Sequence, residues 1–184
     1  MKHTLLAGAL VLALAGCASN GARDSSQSPH PVLSQAPVAI PEASAKHLVL
    51  NMTGSDFVTN AKDWPKFQKE WRDNFAEYAK IDGITFETQD GEGKATGQAG
   101  TLLKVYVNDY RFVGIGSRIM FGVMTGNAYI DAKATFCDLN DGKEIGERSY
   151  NTSSTAWAGV FATMTPAQVD AIGHDVFTEL KSAK

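Results

Sequence analysis

From residue 46 onward, apolar and polar positions recur with periods that predict the order β-α-β-β-β-β-α. His47-Leu48-Val49-Leu50-Asn51-Met52 reads as a first strand, closed by the turn signal Thr53-Gly54. Phe67, Trp71, Phe75 and Tyr78 then fall at i, i+4, i+8 and i+11, one apolar stripe of a helix. Asp63 is placed to cap that helix, Pro65 to open it and Gly83 to stop it. Its remaining positions are largely charged, with Lys66–Glu70 and Lys69–Asp73 spaced as i,i+4 pairs. Ile84-Thr85-Phe86-Glu87 is a short strand, and the glycine-rich stretch 91–97 reads as a flexible turn. Between Thr101 and Tyr110, Leu103, Val105 and Val107 share one face. From Asn127 to Leu139, Ala128, Ile130, Ala132, Ala134 and Phe136 alternate with polar neighbours. Asn140-Asp141-Gly142-Lys143 is a hairpin signal leading into a strand from Glu144 to Ser149. Thr165-Pro166-Ala167-Gln168 has the form of a capping box. It opens a helix whose stripe is Val169, Ile172, Val176, Phe177 and Leu180.

Two amphipathic helices laid on one face of a sheet would bury every one of these stripes in a single core. The expected fold is therefore α+β, a two-layer sandwich. Its four- to five-stranded sheet is mainly antiparallel, because most strands show one apolar and one polar face. The aromatic stripe of the first helix is read as core.

The N-terminal pattern is of another kind. Lys2 precedes an apolar run from Leu5 to Leu14, the length of a secretory h-region and too short to span a bilayer well. Leu14-Ala15-Gly16-Cys17 follows, and these four residues resemble the lipobox of bacterial lipoproteins. The resemblance implies that residues 1–16 are removed and that Cys17 carries diacylglycerol as the first residue of the mature chain. Ala18 replaces the aspartate that retains such proteins at the inner membrane of enteric bacteria, so the implied location is the outer membrane, facing the periplasm. Residues 17–45 are rich in Ser, Ala and Pro and read as an extended tether of about 28 residues at up to ~3.1 Å each. Residues 46–184 form the single expected domain. One acyl chain holds a protein only marginally and two hold it firmly, at ~0.8 kcal/mol per buried CH₂.

Charge and cysteines narrow the function. The chain carries 17 Lys and Arg against 20 Asp and Glu, and losing Lys2 with the signal makes the mature protein more acidic still. That balance excludes nucleic acid as an expected partner. Of the two cysteines, lipidation of Cys17 leaves Cys137 alone, which excludes a disulfide framework. Cys137 lies in the alternating strand and has no local base, so it is read as a structural thiol. No His-x-x-x-His or Cys/His cluster supports a metal, and no cofactor is expected. Asp56, Asp63, Asp82 and Asp90 lie near predicted loops and are read as solvated.

Two stretches stand out. Gly114 to Gly126 contains a Gly-x-Gly but joins two β-like segments and ends in no Lys-Ser/Thr, which sets aside phosphate cradling. Its apolar residues either tuck under the sheet, the default expectation, or form a surface for a partner with Arg118, Met120 and Phe121. Trp157 and Phe161, in the stretch before the last helix, are the other candidates for that surface.

From Leu102 to Leu180, several features recur together: a strand, the Gly-x-Gly loop and a Gly-x-Ala-x-Ile strand, then an Asp-Leu-Asn-Asp-Gly-Lys-Glu-Ile turn and a closing helix. This succession resembles a domain-of-unknown-function family of Gram-negative lipoproteins. It is similar, more loosely, to the periplasmic α/β domains of curli-secretion and Pel-export lipoproteins. The resemblance implies a small α/β sandwich without known catalytic residues, so no site is carried over from it. The resulting expectation is a non-enzymatic lipoprotein of the outer membrane that binds an envelope protein or polymer as an assembly or accessory factor. Homo-oligomerisation is left open. The alternatives are an envelope hydrolase with a site assembled from scattered residues, or a small-ligand-binding lipoprotein.

Overall fold

A computed structural model describes residues 35–121, 126–152 and 164–184; the side chains of Ser117, Arg118 and Phe121 lie outside that description, as do Cys17, Trp157 and Phe161. Five strands form one open sheet in the order β2-β1-β3-β4-β5, namely β1 (His47–Gly54), β2 (Thr85–Gln89), β3 (Thr101–Arg111), β4 (Tyr129–Asp138) and β5 (Glu144–Asn151). The long helices α2 (Trp64–Asp82) and α4 (Thr165–Lys181) cover one face, and short helices α1 (Asp56–Thr59) and α3 (Ile115–Phe121) follow β1 and β3. The α+β two-layer reading stands.

The sheet is mixed. β1 pairs in parallel with both β2 and β3, while β3–β4 and β4–β5 are antiparallel and carry the longer share of paired residues. Parallel pairing follows from α2, which returns the chain to the end of the sheet where β1 began. A strand flanked by parallel neighbours is buried on both faces. Accordingly Leu48 and Leu50 enter the main core, whereas Val49 packs on the far face with Leu102, Cys137 and Leu139. The stretch 91–97 is pinned across that far face rather than free. Buried Asn51 donates to the carbonyls of Gln89 and Gly91, each at 2.9 Å, and the Thr96 N–H donates to the Leu139 carbonyl at 2.8 Å.

Phe67, Trp71 and Phe75 are fully buried, as their spacing predicts. Trp71 stacks on Phe75 with ring centroids 5.5 Å apart and meets Phe67 edge-on at 6.0 Å. Phe75 and Tyr78 both touch Phe177 of α4, which joins the two helices over the sheet. Gly173 lets them approach, since a Cβ there would run into Asn74 and Tyr78 of α2. Gly83 ends α2 in the left-handed conformation at φ 64°, its N–H bonded to the Ala79 carbonyl.

Both expected caps are used differently. Asp63 occupies the N-cap position of α2, but its carboxylate accepts from the Tyr110 hydroxyl at 2.6 Å and caps nothing. Helix α4 begins with Thr165 inside it, and the Thr165 hydroxyl accepts from the Val113 N–H at 2.8 Å. Gln168, the other member of the expected box, donates to the Ala128 carbonyl at 2.9 Å. In each case a group far along the chain outcompetes the local one.

The expected tether is packed over residues 35–45. Val38, Ile40 and Ala45 are buried, Glu42 N–H donates to the Lys184 carbonyl, and Lys184 N–H donates to that of Ile40. This segment runs beside β5. The Gln35 amide exchanges two hydrogen bonds with the Ser149 backbone at 2.8 and 3.0 Å, and Val38 rests on Gly146. Beneath it lies Arg148, only 4% exposed. Its guanidinium donates to the Ala36 carbonyl and to the Glu179 carboxylate, with Asp175 3.8 Å away. Glu179 also accepts from the Val38 N–H at 2.9 Å, and Asp175 from the Tyr150 hydroxyl at 2.8 Å.

Candidate functional site

Strands β1 and β3 are parallel neighbours, so α1 and α3, which follow them, emerge at the same end of the sheet. In α1 the Ser55 hydroxyl accepts from the Val58 N–H at 3.4 Å. The turn so formed sends Val58 into the core and leaves Phe57 82% exposed. The start of α3 is tied to the start of α4, because Thr165 and Val113 are joined by two hydrogen bonds. With Val113 buried, the next turns project outward: Ile115 is 57%, Ile119 79% and Met120 78% exposed. Below them Tyr110 stacks on Phe67, centroids 4.3 Å apart, and touches Trp64.

This strand end is the candidate site. The default expectation, that apolar residues of 114–126 tuck under the sheet, does not hold for Ile119 and Met120. Of the candidate partner-binding residues, Met120 is exposed there. Arg118 and Phe121 belong to the same helix, with side chains outside the description, and Trp157 and Phe161 lie outside the described residues. Phe57 and Ile115 were missed. The signal for Phe57 was present in Ser55-Asp56-Phe57-Val58, a serine-capped turn too short to bury both of its apolar residues.

Residues suited to chemistry have structural partners instead. Cys137 is buried, and burial pushes its thiol above the usual range, away from nucleophilic use. His47 Nε2 lies 3.5 Å from Glu87, while His174 meets Tyr78 edge-on. Asp63 and Asp82 stand at opposite ends of α2, roughly 28 Å apart by helical rise, so the loop aspartates do not converge. Among the described residues, no three His, Cys, Asp or Glu side chains gather as metal ligands, and no helix is long and apolar enough to cross a membrane.

Four tyrosine hydroxyls face carboxylates. Burial, then a hydrogen bond to an aspartate, raises the pKa of Tyr78 (with Asp170) and of Tyr110 (with Asp63). Tyr150 is raised by burial and then by the charge of Asp175, and Tyr129 chiefly by its hydrogen bond to Asp109. A raised folded pKa favours the neutral phenol in the native state. Its stabilisation is complete below the ordinary tyrosine value of 10.0 and is lost as pH climbs above it. Chemical denaturation is therefore expected to show no tyrosine-linked loss up to about pH 10 and falling stability beyond it. Phenolate absorbance should lag a free-tyrosine control until the protein unfolds.

Fold and site together define a two-layer α+β domain with one open sheet and an apolar strand end. No family model matches the chain, and no curated protein matches its sequence. Solved structures that resemble it include the PelC dodecamer from Paraburkholderia phytofirmans. The identity is 14% over 82% of this chain and 96% of PelC, with a TM-score of 0.41. A DUF330 protein from Xanthomonas campestris is 12% identical over 76% of this chain and 85% of its own, TM-score 0.40. A homolog of neuraminyllactose-binding hemagglutinin from Helicobacter pylori is 9% identical over 83% and 94%, TM-score 0.42. Likenesses at this level carry no conclusion about what this chain binds.

Proposed function

We propose that this chain is an outer-membrane-anchored periplasmic lipoprotein that binds an envelope partner, as an assembly or accessory factor, and does no chemistry of its own. The observation that carries the reading is Leu14-Ala15-Gly16-Cys17 at the close of a short apolar segment headed by Lys2. The exposed side chains of Phe57, Ile115, Ile119 and Met120 at one end of the sheet support the binding role, since apolar side chains gathered at one end of a small domain suit an interface. Arg118, Met120, Phe121, Trp157 and Phe161 are the residues assigned to it.

Cys17→Ser is the direct test. Labelled palmitate should enter the native protein and not the variant, and the variant should appear in the soluble fraction. Incorporation by the variant would overturn the assignment. Photo-crosslinking side chains at positions 118 and 157, used in intact cells, should capture one discrete envelope protein or polymer. Capture unchanged when the crosslinking side chains are moved to the β4–β5 hairpin would remove the partner from these positions.

A further inference from the structure

The apolar strand end and the course of the N-terminal segment have a geometric relation that neither shows alone. Strands β3 and β5 both run antiparallel to β4, so they point the same way, and β5 finishes at the end of the sheet that bears α1 and α3. Traced backward from Val38, beside Gly146, to Gln35, beside Ser149, the N-terminal segment climbs β5 toward that same end. At Gln35 the described chain thus points toward the end of the sheet that bears Phe57, Ile115, Ile119 and Met120.

We infer that this strand end rests on the lipid leaflet that holds the chain's own acyl anchor, the four side chains entering its interfacial zone. The inference rests on lipidation of Cys17 and refines that reading, because it gives Met120 and its exposed apolar neighbours to lipid and leaves the envelope partner to Arg118, Phe121, Trp157 and Phe161. A stretch as long as that between Cys17 and Gln35 would span roughly 25 Å as a coil and up to about 50 Å extended, enough for the anchor to reach this end. The contact is apolar, since the full chain's net charge of −3, more negative still once Lys2 is removed, offers nothing to anionic lipid. Four side chains are too little to hold a free protein on a membrane. Tethering supplies the high local concentration that makes so small a contact effective. The domain is held by its lipid and oriented by its strand end.

The experiment uses full-length acylated protein in vesicles of phosphatidylethanolamine and phosphatidylglycerol. An environment-sensitive fluorophore is attached at Met120→Cys or, on the hairpin at the opposite end, at Asp141→Cys. Cys17 is blocked by its lipid and Cys137 is buried, so labelling is confined to the introduced thiol. The Met120 probe should brighten about twofold or more with a blue shift, as for a group moved from water into the interface. Nitroxide-labelled lipids should quench it, and the Asp141 probe should respond to neither. Adding Phe57→Asp should weaken the quenching at position 120 with no change in melting temperature, since Phe57 is exposed. A Met120 probe that reads water while palmitate labelling and flotation confirm the anchor overturns the orientation and leaves lipidation standing. Brightening that nitroxide lipid does not quench assigns the surface to a second copy or another protein and overturns it equally. Absence of acyl label removes both readings together.

Discussion

Replacing Trp71 with Ala is expected to cost about 3–5 kcal/mol, the range for emptying a fully buried indole. Trp71 sits at the middle of the only continuous aromatic row among the described residues, between Phe67 and Phe75 and over the sheet. Its neighbours are held from both sides, by α4 through Phe177 and by β3 through Tyr110, so the site cannot easily collapse into the space left. At about 2–4 °C per kcal/mol the melting temperature should fall by roughly 6–20 °C. Trp71→Phe separates packing from polarity. Nε1 of Trp71 has no hydrogen-bond partner among the described residues, so the smaller ring loses volume and no bond, and it should cost less than Ala. Equal losses for the two variants, or none for Ala, would contradict a packed helix face.

Arg148→Ala should have a comparable effect for a different reason. Removing one partner of a buried ion pair leaves the other charge uncompensated, at about 3–5 kcal/mol. Among the described residues, Glu179 would then keep the Val38 N–H and Asp175 the Tyr150 hydroxyl. The double variant Arg148→Met with Glu179→Leu removes both charges and should recover a good part of the loss. Chemical denaturation of the two single variants and the double variant provides the cycle. The single variant should also free the segment from Gln35 to Ile40, detected as new proteolytic cleavage within it. A double variant no better than the single one would show that the cluster acts through packing and not through its charges.

How much of this was legible in the sequence divides along the distance between the interacting groups. The stripe from Phe67 to Tyr78 and the alternation from Ala128 to Phe136 are local periods, and both describe what those elements bury. The parallel pairings of β1 leave only a trace in the sequence. Leu48-Val49-Leu50 and Leu102-Leu103 are unbroken apolar pairs and triplets, the mark of strands covered on both faces. Asp63 and Thr165 do lie at helix starts, as the sequence predicts, yet their side chains serve Tyr110 and Val113, dozens of positions away. No local rule reports such competition. Residues 35–45 read as tether because Val38 and Ile40 are sparse among prolines and alanines. They are held by the side chains of Arg148 and Glu179, whose convergence only the folded chain brings about. At the site, the motif at Cys17 and the oddness of 114–126 were visible, whereas Phe57 gained significance from the shared direction of β1 and β3.

The lie of residues 35–40 along β5 has a mechanical consequence. Any load drawn through the preceding polypeptide acts along the strand, so the Gln35, Ala36 and Val38 attachments share it in shear instead of opening one after another like a zipper. Buried Ile40 lies behind them as a wedge, and Lys184, just past α4, is bonded to that same residue. A tug on the segment before β1 is thus delivered to the far end of α4, and the domain bears strain as a clasped loop rather than a bead on a string.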